Sequence, residues 1–212
     1  MIDEKIEAYL KKLAPRRGEK IEAIEAYALE HDVPIMDLVG MECLLQQLKL
    51  VQPKRILEIG TAIGYSAIRM ATSLPEVTVV TIERDEPRYL EAKKNVSDLG
   101  LTERIQIHFG DALDIFESLE PEADFDVLFI DAAKGQYQRF FDLYSQKVRS
   151  GGIIFSDNVL FRGLVTEVEV ESKRLRGMVK KLQRYNESLM LHPDYDTRIL
   201  PVGDGLAISI KK

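Results

Sequence analysis

Two short segments carry side chains that would converge on one piece of chemistry. Asp131 and Lys134 stand three residues apart in Ile130-Asp131-Ala132-Ala133-Lys134-Gly135-Gln136-Tyr137, and Asp157 and Asn158 follow Ser156 directly. Two carboxylates and an amide are hard oxygen donors, the set that suits Mg²⁺, Ca²⁺ or Mn²⁺, and Mg²⁺ keeps water positions that a substrate oxygen can take. Lys134, one helical turn beyond Asp131, would reach the same point. A second group surrounds Gly60-Thr61-Ala62-Ile63-Gly64. Glu58 precedes the first glycine by two residues, Glu83 follows it by 23, and Asp111 sits in Gly110-Asp111-Ala112. Singly, each acid also reads as a helix N-cap or a surface carboxylate. As a set without a basic phosphate cradle, they suit a cationic nucleoside better than a pyrophosphate.

The elements that must position these residues follow from apolar periodicity. β-rich runs at 55–60, 78–83, 105–110, 126–132 and 152–158 alternate with segments of helical spacing, which predicts a parallel sheet with crossover helices. VLFI and GIIF are almost wholly apolar, as in strands covered on both faces. Glu58, Glu83, Asp111, Asp131 and Asp157 then all fall at or near strand carboxyl ends, the rim where open α/β sheets bind ligands. The glycine spacing is G-x-x-x-G, neither the dinucleotide fingerprint nor a P-loop. At the chain's end, TRILPV and GLAISIK flank Gly203-Asp204-Gly205, a hairpin signal that makes the last strand antiparallel to its neighbour. The first fifty residues predict helices instead. Ile2, Ile6, Leu10 and Leu13 recur at helical spacing, as do Ile21, Ile24 and Ala28, then Leu44, Leu45 and Leu48, with Pro15 and Pro34 between the segments.

Composition narrows the function classes. The chain has 212 residues, 45% of them hydrophobic and 30% charged, the balance of a globular domain that needs no staple. There is no apolar run long enough to span a membrane and no apolar leader, and the lone Cys43 cannot form an internal disulfide, so a cytoplasmic location is expected. Three scattered histidines, His31, His108 and His192, in no ligand spacing, argue against a His-rich zinc site. The net charge of −6 argues against a nucleic-acid partner, with one local exception. Residues 171–184, ESKRLRGMVKKLQR, hold six basic residues and one acid, so this stretch carries +5 and the remainder −11. Leu175, Val179, Leu182 and Leu189 form an apolar stripe through it, predicting an amphipathic helix with one positive face. That face is either a docking surface for an anionic partner or simply a solvated one.

Residues 53–112 resemble the S-adenosylmethionine-binding half of class I methyltransferases: EIGTAIG is similar to their first motif, TIER to the acidic ribose motif and GDA to the adenine-side motif. The likeness extends over nearly the whole chain. It implies an α/β fold, a Rossmann-like seven-stranded sheet with an antiparallel last strand, in a single domain over 1–212 with a helical region at 1–50 and the core at 51–212. It also implies that Glu58, Gly60, Thr61, Gly64, Ser66, Glu83, Asp111, Ala112 and Asp131 meet the cofactor. The pattern D-x-x-K-x-x-Y with a later D-N resembles the metal-dependent catechol and caffeoyl-CoA O-methyltransferases. That resemblance implies Asp131, Asp157 and Asn158 as metal ligands and Lys134, beside Asp131, as general base. Met36, in the loop Pro34–Asp37, would close over the cofactor, and Tyr137 is either a tyrosine of the site or a core aromatic. The chemistry is coherent, because a hydroxyl is a poor nucleophile toward a sulfonium methyl until a cation stabilises its oxygen and a base takes its proton.

AIGYSAIRMA, FIDAAKGQYQ, DNVLFRGLV and HPDY…PVGDGLAIS further resemble one subgroup of that family, the bacterial tRNA 5-hydroxyuridine O-methyltransferases. This implies the 5-oxygen of a wobble uridine as acceptor, with Lys173, Arg174, Arg176, Lys180, Lys181 and Arg184 holding tRNA phosphates. The family likeness also implies a homodimer with the N-terminal helices near its interface. A small catechol-like phenol is the alternative acceptor. An NAD-dependent dehydrogenase lacks its glycine pattern, and a noncatalytic RNA-binding module would not need Asp131, Lys134, Asp157 and Asn158 together. A cysteine-nucleophile carbon methyltransferase is disfavoured because Cys43 lies in an apolar helical stretch, where a buried structural thiol is expected.

Overall fold

The computed structural model describes residues 4–119, 124–167 and 172–212. Three helices come first: α1 (Glu4–Leu13), α2 (Glu19–Glu30) and α3 (Leu38–Val51). Pro15 and Pro34 fall in the connections, where a missing N–H costs nothing. α3 begins where the Asp37 carboxylate accepts from the N–H groups of Val39 and Gly40. The alternating part follows as β1 (Arg55–Ile59), α4 (Tyr65–Ser73), β2 (Thr78–Glu83), α5 (Glu86–Asp98), β3 (Ile105–Phe109), β4 (Phe125–Ile130), α6 (Tyr137–Tyr144) and β5 (Val148–Ser156). It ends with α7 (Lys173–Leu191), β6 (Tyr195–Leu200) and β7 (Leu206–Lys211).

All seven strands form one sheet in the order β3-β2-β1-β4-β5-β7-β6. β1 to β5 pair in parallel, whereas β7 is antiparallel to both β5 and β6, so the terminal hairpin inserts the last strand inside the sheet as expected. Strand order reverses between β1 and β4, and that switch point opens a crevice at the carboxyl rim. One core packs α2, α3 and α4 on the sheet through Ile21, Ile24, Leu44, Leu48 and Ile68, and the other packs α6 and α7 through Phe141, Leu182, Tyr185 and Leu189. Val127, Leu128, Phe129 and Ile130 are all fully buried, which explains their unbroken apolar run. Among the described residues no helix is long and apolar enough to cross a membrane.

The strands end earlier than the apolar runs. β1 stops at Ile59, β3 at Phe109, β4 at Ile130 and β5 at Ser156, so Gly60, Gly110, Asp131 and Asp157 leave the ladder and turn onto the rim. α7 runs seven residues past the basic stretch, and its buried stripe is Val179, Leu182, Tyr185 and Leu189. Leu175, expected in that stripe, is 41% exposed because the first turn of α7 projects beyond the core. Cys43 is half-buried rather than fully enclosed, and burial pushes its thiol pKa up.

Candidate active site

A cleft of about 300 Å³ opens over the rim at the switch point, lined by Met36, Gly60, Thr61, Ser66, Glu83, Asp111, Ala112, Asp131, Lys134 and Asn158 among others. Its floor is the turn after β1. Gly60 adopts φ 107°, and a Cβ there would be driven into the carbonyl oxygen of Asp131, so only glycine lets the β1 and β4 turns approach this closely. The N–H groups of Gly60 and Thr61 donate to the Ile82 carbonyl at 3.1 and 3.2 Å, which ties the turn to β2.

Glu83 is buried at the end of β2 and held by three backbone donors. Its Oε2 accepts from Ala62 N at 2.8 Å, and its Oε1 from Arg84 N at 2.9 Å and Asp85 N at 2.8 Å. A carboxylate has about four lone-pair sites, so acceptor capacity remains on Oε2 for a ligand hydroxyl. Asp111 accepts from Leu113 N at 3.0 Å and forms an ion pair across the cleft mouth with Arg84, 3.2 Å away. Ala112 is buried, and its carbonyl accepts from the Tyr144 hydroxyl.

Two of the expected cofactor residues lie outside the cleft wall. Gly64 caps α4 from beneath the turn. Glu58 is wholly buried under it, accepting from the hydroxyls of Ser66 and Thr81, and Thr81 in turn meets Thr61 Oγ1 at 2.6 Å. Burial, partly offset by those two hydroxyl donors, pushes the Glu58 carboxyl up to about 7. Glu58 thus reaches the cleft only through the hydroxyls it holds in place.

The other end of the cleft is the paired turn after β4 and β5. Ile130 and Ser156 are register partners, and Asp157 N donates to the Ile130 carbonyl at 3.0 Å, which brings Asp131 and Asp157 side by side. Burial raises the pKa of Asp131 to about 6 against the pull of Lys134, and burial together with the Asp131 charge holds the Asp157 carboxyl well above its usual range. Asn158, at φ 56°, turns back so that its Nδ2 donates to Asp157 Oδ2 at 3.0 Å while its Oδ1 accepts from Lys134 Nζ at 2.7 Å. Tyr137 is a buried aromatic whose hydroxyl donates to the Asp157 carbonyl at 3.0 Å.

The structure therefore brings Asp131, Lys134, Asp157 and Asn158 together, although they lie up to 27 positions apart in sequence. Among the described residues no three His, Cys, Asp or Glu side chains gather around one point, so any divalent ion here would take two carboxylates, one amide and otherwise water. That donor set fits a hard cation. The wall also contains Ile35, Ala62, Tyr65, Arg84, Arg88, Ala133 and Phe140, which the sequence reading did not single out. Arg84 was detectable in principle as the neighbour of Glu83. Tyr65 was not, because its hydroxyl is placed by a buried network in which it donates to Glu25 and accepts from Arg69.

Comparison with known proteins decides what this arrangement belongs to. Residues 18–212 match the O-methyltransferase family model. The chain belongs to the S-adenosylmethionine-dependent O-methyltransferase family. Among its relatives in that family, the catechol O-methyltransferase of Niastella koreensis is 37% identical over 172 residues, covering 77% of this chain and 76% of the relative. Caffeoyl-CoA O-methyltransferase 1 of Eucalyptus globulus is 28% identical over 204 residues, 92% of this chain and 82% of that one. Among solved structures of O-methyltransferases, TomG of Streptomyces achromogenes, in complex with S-adenosylmethionine, superposes with a TM-score of 0.85 at 28% identity, covering 100% of this chain and 99% of TomG. A Staphylococcus aureus protein provisionally named a caffeoyl-CoA O-methyltransferase superposes with a TM-score of 0.91 at 39% identity, over 97% of this chain and 98% of that one.

Proposed function

We propose that this O-methyltransferase methylates the 5-oxygen of 5-hydroxyuridine at the wobble position of tRNA, assisted by Mg²⁺ or a similar divalent ion. S-adenosylmethionine supplies an electrophilic methyl group. Glu83 and Asp111 with Ala112 are the residues that would hold its nucleoside, with the 60–64 turn and Met36 lining the same cleft, and Ser66 steadies the turn through Glu58. Asp131, Asp157 and Asn158 are the residues that would hold the cation, which supplies positive charge at the point where the acceptor loses its proton. Lys134 Nζ, which donates to Asn158, would first release a proton to solvent; as the neutral amine it would then turn its lone pair to the acceptor hydroxyl and take that proton. The cleft walls would then position the acceptor oxygen for the transfer.

The observation that carries the tRNA reading is the placement of α7. Lys173, Arg174, Arg176, Lys180, Lys181 and Arg184 are all exposed on it, and Lys181 Nζ donates to the Gly135 carbonyl at 3.4 Å, in the turn that bears Lys134. A polyanion on that face would lie against the catalytic turn, and a small phenol has no use for it. Such a substrate places the enzyme in the cytoplasm. The second reading, a catechol-like small acceptor, is favoured by the names of the relatives. Ile6, Tyr9 and Leu13 of α1 are each more than half exposed, which supports a homodimer that would cover them. Incubating the purified enzyme with methyl-labelled S-adenosylmethionine, Mg²⁺ and either 5-hydroxyuridine-containing tRNA or 3,4-dihydroxybenzoate decides between the acceptors. Label transfer to the benzoate alone would reject the tRNA substrate.

A further inference from the structure

The loop that follows Asn158 is built at a conformational cost. Asn158, Phe161 and Arg162 adopt φ values of 56°, 47° and 54°, three left-handed non-glycine residues within five positions. Such residues persist only where surrounding contacts over-determine them. Here the contacts come from the turn between β6 and β7. Val159 N donates to the Gly205 carbonyl at 3.1 Å, Leu160 N to the Asp204 carbonyl at 3.0 Å, and Arg162 N to the Asp204 carboxylate. On the opposite side, Asn186 Nδ2 of α7 donates to the Val159 carbonyl at 2.9 Å. The loop so fixed presents two groups to Lys134: Asn158 Oδ1, and the Phe161 ring, whose centroid lies 5.9 Å from Nζ. Asp204 itself is not part of the cleft wall.

We propose that Asp204 is a positioning residue for methyl transfer, holding loop 158–163 so that Asn158 keeps the Lys134 side-chain nitrogen aimed into the cleft. The inference rests on the reading of Lys134 as the base. Asp204 accepts from two N–H groups of one short loop, once through its backbone and once through its side chain. Only the second bond can be removed by substitution, and it holds the left-handed Arg162. Without it the loop is free to relax toward ordinary backbone angles, and Asn158 moves with it.

The test compares Asp204→Ala, which loses the acceptor, with Asp204→Asn, which keeps an acceptor oxygen. Two readouts are taken on the full chain. The first is kcat with S-adenosylmethionine and each of 5-hydroxyuridine-containing tRNA and 3,4-dihydroxybenzoate, alongside the cofactor Kd by calorimetry. The second needs no turnover: the rate at which Lys134 is acetylated by N-hydroxysuccinimidyl acetate, read by peptide mass spectrometry against the other lysines. Asp204→Ala should lower kcat about 10-fold to 100-fold, as a small misplacement of a catalytic group does, with cofactor Kd nearly unchanged. It should also acetylate several-fold faster at Lys134 alone, and Asp204→Asn should restore both values. Wild-type labelling and kcat in Asp204→Ala would overturn the proposal, as would an Asn variant as impaired as Ala. Lys134→Ala separates the two ideas. If it stays active, the base assignment has failed. If it is inactive while Asp204→Ala is normal, only the role of Asp204 has.

Discussion

Glu58 offers a stability measurement whose sign and size both follow from its burial. Its carboxyl titrates at about 7 in the folded chain, against an ordinary value of 4.5. Below pH 4.5 it is protonated in folded and unfolded states alike, and well above pH 7 it is ionised in both. Between these limits the folded chain keeps a proton that the unfolded chain has released, so stability falls as pH rises through that window. The interval of about 2.5 pH units corresponds, at roughly 1.36 kcal/mol per unit, to about 3 kcal/mol. Glu58→Gln removes the ionisation and keeps the shape, since the Ser66 or Thr81 hydroxyl can rotate to accept from the new amide. Urea unfolding of both proteins at pH 4.5, 6, 7 and 8 gives the difference directly. The Gln variant should gain about 3 kcal/mol on the wild type between the ends of the series. A difference that stays flat with pH would refute the argument that desolvation governs this carboxyl.

Three further outcomes are expected. Glu83→Gln should weaken S-adenosylmethionine binding by about 1.5–3 kcal/mol in calorimetry, because one charged acceptor oxygen is replaced by an amide donor; an unchanged Kd in the folded variant would remove Glu83 from the cofactor site. Asp157→Ala should abolish both Mg²⁺ binding and turnover at intact circular dichroism, and wild-type turnover that survives excess EDTA would dismiss the cation. Changing Lys180, Lys181 and Arg184 together to Gln should weaken tRNA binding and flatten the log Kd against log salt slope by about 0.7–0.9 per lost phosphate contact, and an unaltered slope would make α7 a solvated face.

The strands were legible because their burial is two-sided: Val127 to Ile130 leave no polar position to obscure the run. Their ends were not. Apolar patterning registers burial, whereas Asp131 and Asp157 leave the ladder by a change of backbone hydrogen bonding that composition does not encode. The acids of the cleft could be located by their distance from Gly60, but Glu58 shows what distance leaves open. Whether a side chain near the turn reaches the ligand or supports the turn from below depends on its partners, here Ser66 and Thr81. Leu175 fits the helical stripe and is exposed all the same, because periodicity says which face is apolar and not where the neighbouring core ends. Asp204 escaped notice as anything more than a hairpin residue, since its partner Arg162 lies 42 positions away.

The most direct test of methyl transfer to wobble hydroxyuridine through Lys134 is mass analysis of tRNA nucleosides from a strain lacking this gene, complemented with either wild type or Lys134→Ala. Loss of 5-methoxyuridine with accumulation of 5-hydroxyuridine, reversed by the wild type and not by Lys134→Ala, is the predicted result. An unchanged 5-methoxyuridine level in the deletion strain, or full restoration by Lys134→Ala, would contradict it.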